Sequence, residues 1–85
     1  MSQQNELISI IVPAYNAANY IEECLTSLCG QTYQNLEILV IDDGSTDSTL
    51  DKCKKFKDER VKLVSQTNQG VSAARNLGIS LARGD

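Results

Sequence analysis

The chain has 85 residues, of which 41% are hydrophobic and 22% are charged, and its formal net charge at pH 7 is −3. These values are typical of one small globular domain or part of one, and they exclude a disordered or fibrous protein. The acidic balance argues against a nucleic-acid partner, because nucleic-acid-binding domains carry a basic patch.

The cysteines and the absence of histidine limit the metal chemistry that the chain can support. Cys24, Cys29 and Cys53 form no C-x-x-C pair, so no zinc site is expected among these residues. Free thiols are the simplest interpretation, and they predict a cytoplasmic protein. The first residues lack the basic start of a signal peptide, and the longest apolar run is far shorter than the roughly 20 residues that span a bilayer.

Strand-like and helical patterns alternate along the chain. Leu7 to Val12 is an apolar, isoleucine-rich run that predicts a buried strand, with Pro13 just past its end. Asn19 and Glu22 have the spacing of a capping box and predict the start of a helix, which Gly30 is well placed to end.

The same alternation continues through a second strand and a second helix. Leu36 to Ile41 predicts the strand, and three residues are alternative N-caps for the helix that follows: Ser45, Thr46 and Asp47. Three residues line the predicted inner face of this helix: Leu50, Cys53 and Phe56.

The last predicted elements are a short strand, Val61 to Val64, and a helix from Gly70 to Ala82. Six residues form the predicted inner face of that helix: Val71, Ala74, Leu77, Gly78, Leu81 and Ala82. Strands that alternate with helices predict an α/β fold in which a Rossmann-like parallel sheet is flanked by helices. Because parallel strands bring their carboxyl ends to one edge, the loops after the three strands should converge there.

Two adjacent carboxylates, Asp42 and Asp43, follow the second strand at that edge. In a purely structural interpretation, one acid caps the next helix and the other is solvated. That helix already has three other capping candidates, so we favour a ligand-binding role for the acids. Their spacing fits neither a phosphoaspartate phosphatase nor a calcium loop, and no G-x-G-x-x-G or Walker A sequence occurs.

Two further residues are candidates for the same site. Tyr15, at the end of the first strand, either shields the sheet edge or stacks on a planar ligand such as a nucleobase. Arg75, in the first turns of the third helix, is flanked by small and apolar residues rather than by charges. An arginine there either pairs with a helix neighbour or binds phosphate oxygens, and we favour the second role.

Four segments of the chain together resemble a known protein family: Ile10–Asn16, Leu25–Leu28 with Gln31–Tyr33, Glu37–Asp47 and Asn68–Asn76. In order and spacing they resemble the family 2 glycosyltransferases, which have the GT-A fold, and the resemblance extends from Ile8 to Asp85. It implies that residues 1–85 are a single partial domain, the N-terminal nucleotide-sugar-binding part of a catalytic domain. The predicted elements would then be the N-terminal β-α-β-α-β-α part of that fold.

The resemblance implies seven nucleotide-sugar-binding residues: Pro13, Ala14, Tyr15, Asn16, Asp42, Asp43 and Arg75. Tyr15 matches the residue that stacks against uracil in enzymes that use uridine-diphosphate (UDP) sugars. Asp43 matches the acid that reads the edge of the base, and Asp42 is the neighbour that helps to order the pocket. Arg75 matches an arginine near the base and the diphosphate.

The resemblance also implies an inverting, metal-dependent transfer of a sugar to an acceptor hydroxyl, as in polysaccharide biosynthesis. In the family, a D-x-D motif that holds Mg²⁺ or Mn²⁺ and a later general base follow a segment like Ala82 to Asp85. We therefore expect no catalytic and no metal-binding residue within this chain, and no activity of the chain alone. A glycan or lipid-linked acceptor would bind the C-terminal part of an intact enzyme, in the cytoplasm or on the cytoplasmic face of a membrane.

Two further expectations concern partners. In a GT-A sheet another strand lies beside the first one, so Leu7 to Val12 should be an exposed edge through which the 85-residue chain self-associates. The alternative to a glycosyltransferase is a receiver-like signalling module with an acidic phosphoacceptor site. That module needs an acid at the end of the middle strand of five and a later lysine, whereas the third strand here ends in Ser65-Gln66-Thr67.

Overall fold

The structure is a computed structural model that describes residues 6–30 and 34–84. Its elements in chain order are β1 (Ile8–Ala14), α1 (Ile21–Cys29), β2 (Leu36–Asp43), α2 (Thr49–Lys55), β3 (Val61–Gln66) and α3 (Val71–Leu81). The predicted alternation of strands and helices is confirmed. Gln31 to Tyr33, part of the family resemblance, lie outside the described residues.

The three strands form a parallel sheet in the order β1-β2-β3. Every residue of β2 is buried, because the strand has a neighbour on each side and helices on both faces. Successive side chains of β2 alternate between two cores. Ile38 and Val40 pack in a cluster with α1 and α2, whereas Leu39 and Ile41 pack against Ala74 of α3.

The strands run further toward their carboxyl ends than the sequence predicts. Pro13 lies within β1, opposite Ile41, rather than just past the strand. A proline is tolerated there because β1 lies at the edge of the described sheet, where a missing N–H breaks no ladder bond on the open side. Asp42 and Asp43 are the last two residues of β2, and Gln66 is the last residue of β3.

The starts of the first two helices differ from the prediction. Tyr20, not Asn19, occupies the N-cap of α1 and makes no side-chain capping bond, because the carbonyl of Ala17 accepts the N–H groups of both Tyr20 and Ile21. Ser48 occupies the N-cap position of α2 without a side-chain bond, but Oδ1 of Asp47, one of the three predicted candidates, accepts the N–H of Thr49, the first residue of the helix, at 2.9 Å. The predicted C-terminal position of Gly30 is confirmed.

Helix α3 packs closely on the sheet through its small residues. Ala74 and Gly78 are buried, and a Cβ added at Gly78 would lie 2.5 Å from Cγ2 of Ile11. The predicted inner face is too wide, because Val71 and Leu81 are 54% and 43% exposed. The side chains of these two residues project from the flanks of the narrow stripe that touches the sheet.

A buried carboxylate near the start of the central strand is not apparent from the sequence pattern. Glu37 of β2 is 4% exposed, and its Oε1 accepts hydrogen bonds from Ser9 Oγ at 2.7 Å and from Arg83 N at 2.9 Å. Ser9 Oγ in turn accepts one from Gly84 N at 2.9 Å. This arrangement, the Glu37 latch, joins β1 and β2 to the chain that leaves α3. Its hydrogen bond from Arg83 N, together with that from Ser9, holds the pKa of Glu37 below its usual value.

Candidate functional site

A shallow cleft of about 70 Å³ lies where β1 and β2 end and α3 begins. Six residues line it: Pro13, Ala14, Tyr15, Asp43, Val71 and Ala74. Four of the seven predicted site residues therefore meet in one place. Tyr15 is 48% exposed, whereas Asp43 is only 4% exposed. An accessible aromatic ring and a nearly buried carboxylate thus share a mostly apolar cleft.

The carboxylate of Asp43 is held by three donors. Oδ1 accepts hydrogen bonds from Gln66 Nε2 at 2.7 Å and from Gln69 N at 2.8 Å, and Oδ2 accepts one from Gly70 N at 2.9 Å. The bond from the Gln66 amide, together with those from the two backbone N–H groups, lowers the pKa of Asp43. Asp43 is therefore ionised and fixed at neutral pH, with its charge directed to the start of α3.

Asp42 projects from the opposite face of the sheet. It is 2% exposed, its Oδ2 accepts a hydrogen bond from Ser45 N at 3.2 Å, and its Oδ1 has no hydrogen-bond partner among the described residues. Burial, with a smaller effect of the Asp42 charge, raises the pKa of Cys53 beside it to about 11. Asp42 shapes the turn after β2 and does not line the cleft. Neither acid of the pair is solvated, contrary to the purely structural interpretation.

Asn16 also faces away from the cleft. Its backbone is in the left-handed region, with φ at 49°. Its side-chain Oδ1 accepts hydrogen bonds from Thr46 N at 2.8 Å and from Asp47 N at 3.3 Å, and its backbone N–H donates to Ser45 Oγ at 2.9 Å. The carboxamide oxygen of Asn16, the residue after Tyr15, thus joins the end of β1 to the turn between β2 and α2.

Two more bonds fasten the same loops together. Ala17 N donates to Thr49 Oγ1 at 2.7 Å, and Ala18 N donates to Asp47 Oδ2 at 3.2 Å. Thr49 is fully buried, and its hydroxyl bond to Asp47 is the main cause of the lowered pKa of Asp47. The sequence pattern predicts Asp47 only as a helix cap and does not indicate a role for Thr49. The expected convergence of the loops was the one signal that could have indicated these cross-loop contacts.

Arg75 is the third predicted site residue that lies outside the cleft, after Asp42 and Asn16. It is exposed on α3 and does not line the cleft. The ion pairs in the described part of the chain, Lys52–Glu22 and Arg60–Asp58, do not involve it. Because Arg75 lies one helical turn after Val71, which does line the cleft, its side chain starts from the same face of α3.

The described residues contain no group of three or more histidine, cysteine, aspartate or glutamate side chains that could hold a metal ion. Across residues 6–30 and 34–84, no helix is both long enough and apolar enough to cross a membrane. All three cysteines are free thiols.

Comparisons with known sequences agree with one another. Residues 9–85 match the profile of glycosyl transferase family 2. The chain is 48% identical over 84 residues to glycosyltransferase GlyG of Streptococcus pneumoniae, which covers 95% of the chain and 28% of that protein. It is 44% identical over 80 residues to a hyaluronan synthase of Pasteurella multocida, covering 92% of the chain and 8% of the synthase. The chain thus spans between about a twelfth and about a quarter of the length of these relatives.

Solved structures give the same result. TarS of S. aureus superposes with a TM-score of 0.83 at 37% identity, over 93% of the chain and 25% of that structure. The mannosyltransferase PcManGT from Pyrobaculum calidifontis, in complex with GDP-Man and Mn²⁺, superposes with a TM-score of 0.81 at 34% identity, over 93% and 25%. These superpositions confirm the predicted GT-A fold, and nothing supports the receiver-like alternative. The chain belongs to glycosyl transferase family 2.

Proposed function

We propose that the cleft binds the nucleotide of a nucleotide-diphosphate sugar, and that the donor is a UDP-sugar. The observation that carries the proposal is the meeting of an exposed tyrosine ring with a fixed, ionised carboxylate in one cleft, in a chain of this family. Tyr15 offers a face for a planar base, and Asp43 offers an acceptor for an N–H on the edge of that base.

The other predicted site residues have distinct roles in this proposal. Pro13 and Ala14 form the apolar wall beside Tyr15. Asn16 and Asp42 hold the loops on either side, so they position the site without facing the cleft. Arg75, whose guanidinium is exposed, reaches the phosphates from the start of α3, where the positive end of the helix also favours an anion.

We also propose that the complete reaction uses residues outside the described part of the chain. We propose an inverting transfer to an acceptor hydroxyl, with a divalent metal held by a D-x-D motif outside the described residues. The neighbour that binds GDP-Man and Mn²⁺ supports metal use in the family. A glycan or lipid-linked acceptor and a location in the cytoplasm or on its membrane face are part of this proposal. An assay of the purified chain with a sugar nucleotide and Mn²⁺ is expected to show no transfer.

Replacement of Tyr15 by alanine tests the stacking role. The Tyr15→Ala variant is expected to bind UDP about 5-fold to 150-fold more weakly in calorimetry, because base–aromatic stacking contributes about 1–3 kcal/mol. Tyr20→Ala is the matched control, since Tyr20 is 59% exposed and does not line the cleft. Equal affinities in both variants would remove Tyr15 from the site. Binding of a phosphoryl donor such as acetyl phosphate, but not of UDP, would favour the receiver-like alternative instead.

Strand β1 is also proposed as a surface for self-association. Among the described residues it pairs with β2 alone, which leaves its other side open, and its central residues carry no lysine. We expect the sedimentation coefficient of the 85-residue chain to rise with concentration. A constant monomer value across the series would show that the open side of β1 is protected.

A further inference from the structure

The number of donors already bound to Asp43 limits what its carboxylate can recognise. A carboxylate has about four lone-pair positions, two on each oxygen. Gln66 Nε2 and Gln69 N occupy both positions on Oδ1, and Gly70 N occupies one on Oδ2. One acceptor position, on Oδ2, is therefore left for a ligand in the cleft.

Gln66 is the only side chain among these three donors, since the other two are backbone N–H groups. It is half-buried at the last position of β3, directly opposite Asp43 in the parallel register. Because an ionised carboxylate only accepts hydrogen bonds, the Gln66 amide must direct its NH₂ group toward Oδ1. The register of the sheet thus fixes both the partner and its orientation.

The bases of nucleotide sugars differ in how many donors they present to such a carboxylate. Uracil has one ring N–H between two carbonyl oxygens. Guanine presents its ring N–H and its exocyclic NH₂ group side by side, which suits both oxygens of a carboxylate at once. A carboxylate with one open acceptor position can satisfy uracil, whereas guanine would keep one donor unpaired, which is costly in a partly desolvated contact.

We propose that Gln66 is a specificity-determining residue that acts through Asp43: by occupying Oδ1 it leaves a single acceptor position and so selects uracil over guanine. This inference rests on the proposed nucleotide site and goes beyond it, because it assigns the choice of base to a residue outside the cleft lining. The similar structure of PcManGT contains GDP-Man, so a related protein binds guanine rather than uracil.

Calorimetry with UDP and GDP on the 85-residue chain tests the inference. The unmodified chain is expected to bind UDP about tenfold more tightly than GDP, the lower end of what one hydrogen bond to a charged group contributes. Gln66→Met keeps the length of the side chain and removes the donor, so the ratio of the GDP to the UDP affinity is expected to rise about tenfold. Lys62→Met, an exposed position on the same strand, is the control and should leave the ratio unchanged.

The ratio separates a selective role from a structural one, because general damage to the site lowers both affinities together. A parallel loss of UDP and GDP binding in Gln66→Met, or an unchanged ratio, would overturn the inference. Equal binding of UDP and GDP by the unmodified chain would overturn it without any variant. If UDP did not bind the unmodified chain at all, the proposed nucleotide site itself would fail, and that result is distinct from the others.

Discussion

Asp43→Asn is expected to weaken UDP binding about tenfold to 150-fold. The variant loses the charged acceptor that the base edge needs, and a hydrogen bond to a charged group contributes about tenfold to 150-fold in affinity. The asparagine also has an NH₂ group, which is a donor and cannot accept hydrogen bonds. Three donors bind the carboxylate in the unmodified chain: the Gln66 amide and the N–H groups of Gln69 and Gly70. The start of α3 should therefore loosen as well, and the melting temperature should fall.

Calorimetry and thermal melting on the same samples separate these two effects. Asp51→Asn is the matched control, because Asp51 is exposed on α2 and away from the cleft. The control is expected to match the unmodified chain in both measurements. A variant at Asp43 that melts earlier but binds UDP normally would mean that Asp43 is a purely structural anchor of α3.

Glu37→Met is expected to lower the free energy of unfolding by about 3–6 kcal/mol. The substitution removes the charged acceptor of two hydrogen bonds, each worth about 1.5–3 kcal/mol, and leaves the Ser9 hydroxyl and Arg83 N–H without that partner. A chain of this size is stable by only about 4–13 kcal/mol, so the loss is large. Urea unfolding measures it, and Glu22→Met, at an exposed glutamate, should change the value by less than about 0.5 kcal/mol.

The pH dependence of unfolding gives a second check on the Glu37 latch. Because the pKa of Glu37 is lowered in the folded chain, its stabilising contribution is present above the ordinary glutamate pKa and is lost as the pH falls through the folded value. The Glu37→Met variant should therefore lose less stability on acidification than the unmodified chain. Identical acid profiles, or a loss no larger than that of the Glu22 control, would contradict the role given to the latch.

Hydrophobic patterning was sufficient to predict the elements and the edge where the loops meet. The uniform burial of β2 follows from its apolar sequence, and the parallel arrangement follows from the helices between the strands. The ends of the elements were less predictable. Pro13 lies within β1, which is possible because β1 is at the edge of the described sheet. At the start of α1, a backbone carbonyl rather than the Asn19 side chain accepts the first N–H groups. Such local competition between caps depends on the turn that precedes the helix.

The candidate site was predictable in its residue types but not in their orientation. Asp42 and Asp43 are both predicted site residues, but adjacent strand residues face opposite sides of a sheet, so the two do not share one pocket. Which of the two faces the cleft depends on the position of α3, and the donors to Asp43 depend on the register of β3. Glu37 and Thr49 escaped notice because a single polar residue in an apolar run carries no signal of its partners.

The most direct test of the nucleotide site is a titration of the ¹⁵N-labelled chain with UDP, followed by amide NMR shifts. The site predicts the largest shifts at the backbone amides of Tyr15, Gln69 and Gly70 and at the side-chain amide of Gln66, because these groups line the cleft or bind Asp43. The amide of Arg60, at the other end of the sheet, should not move. Shifts confined to residues away from the cleft, or no shifts at millimolar UDP, would contradict the account.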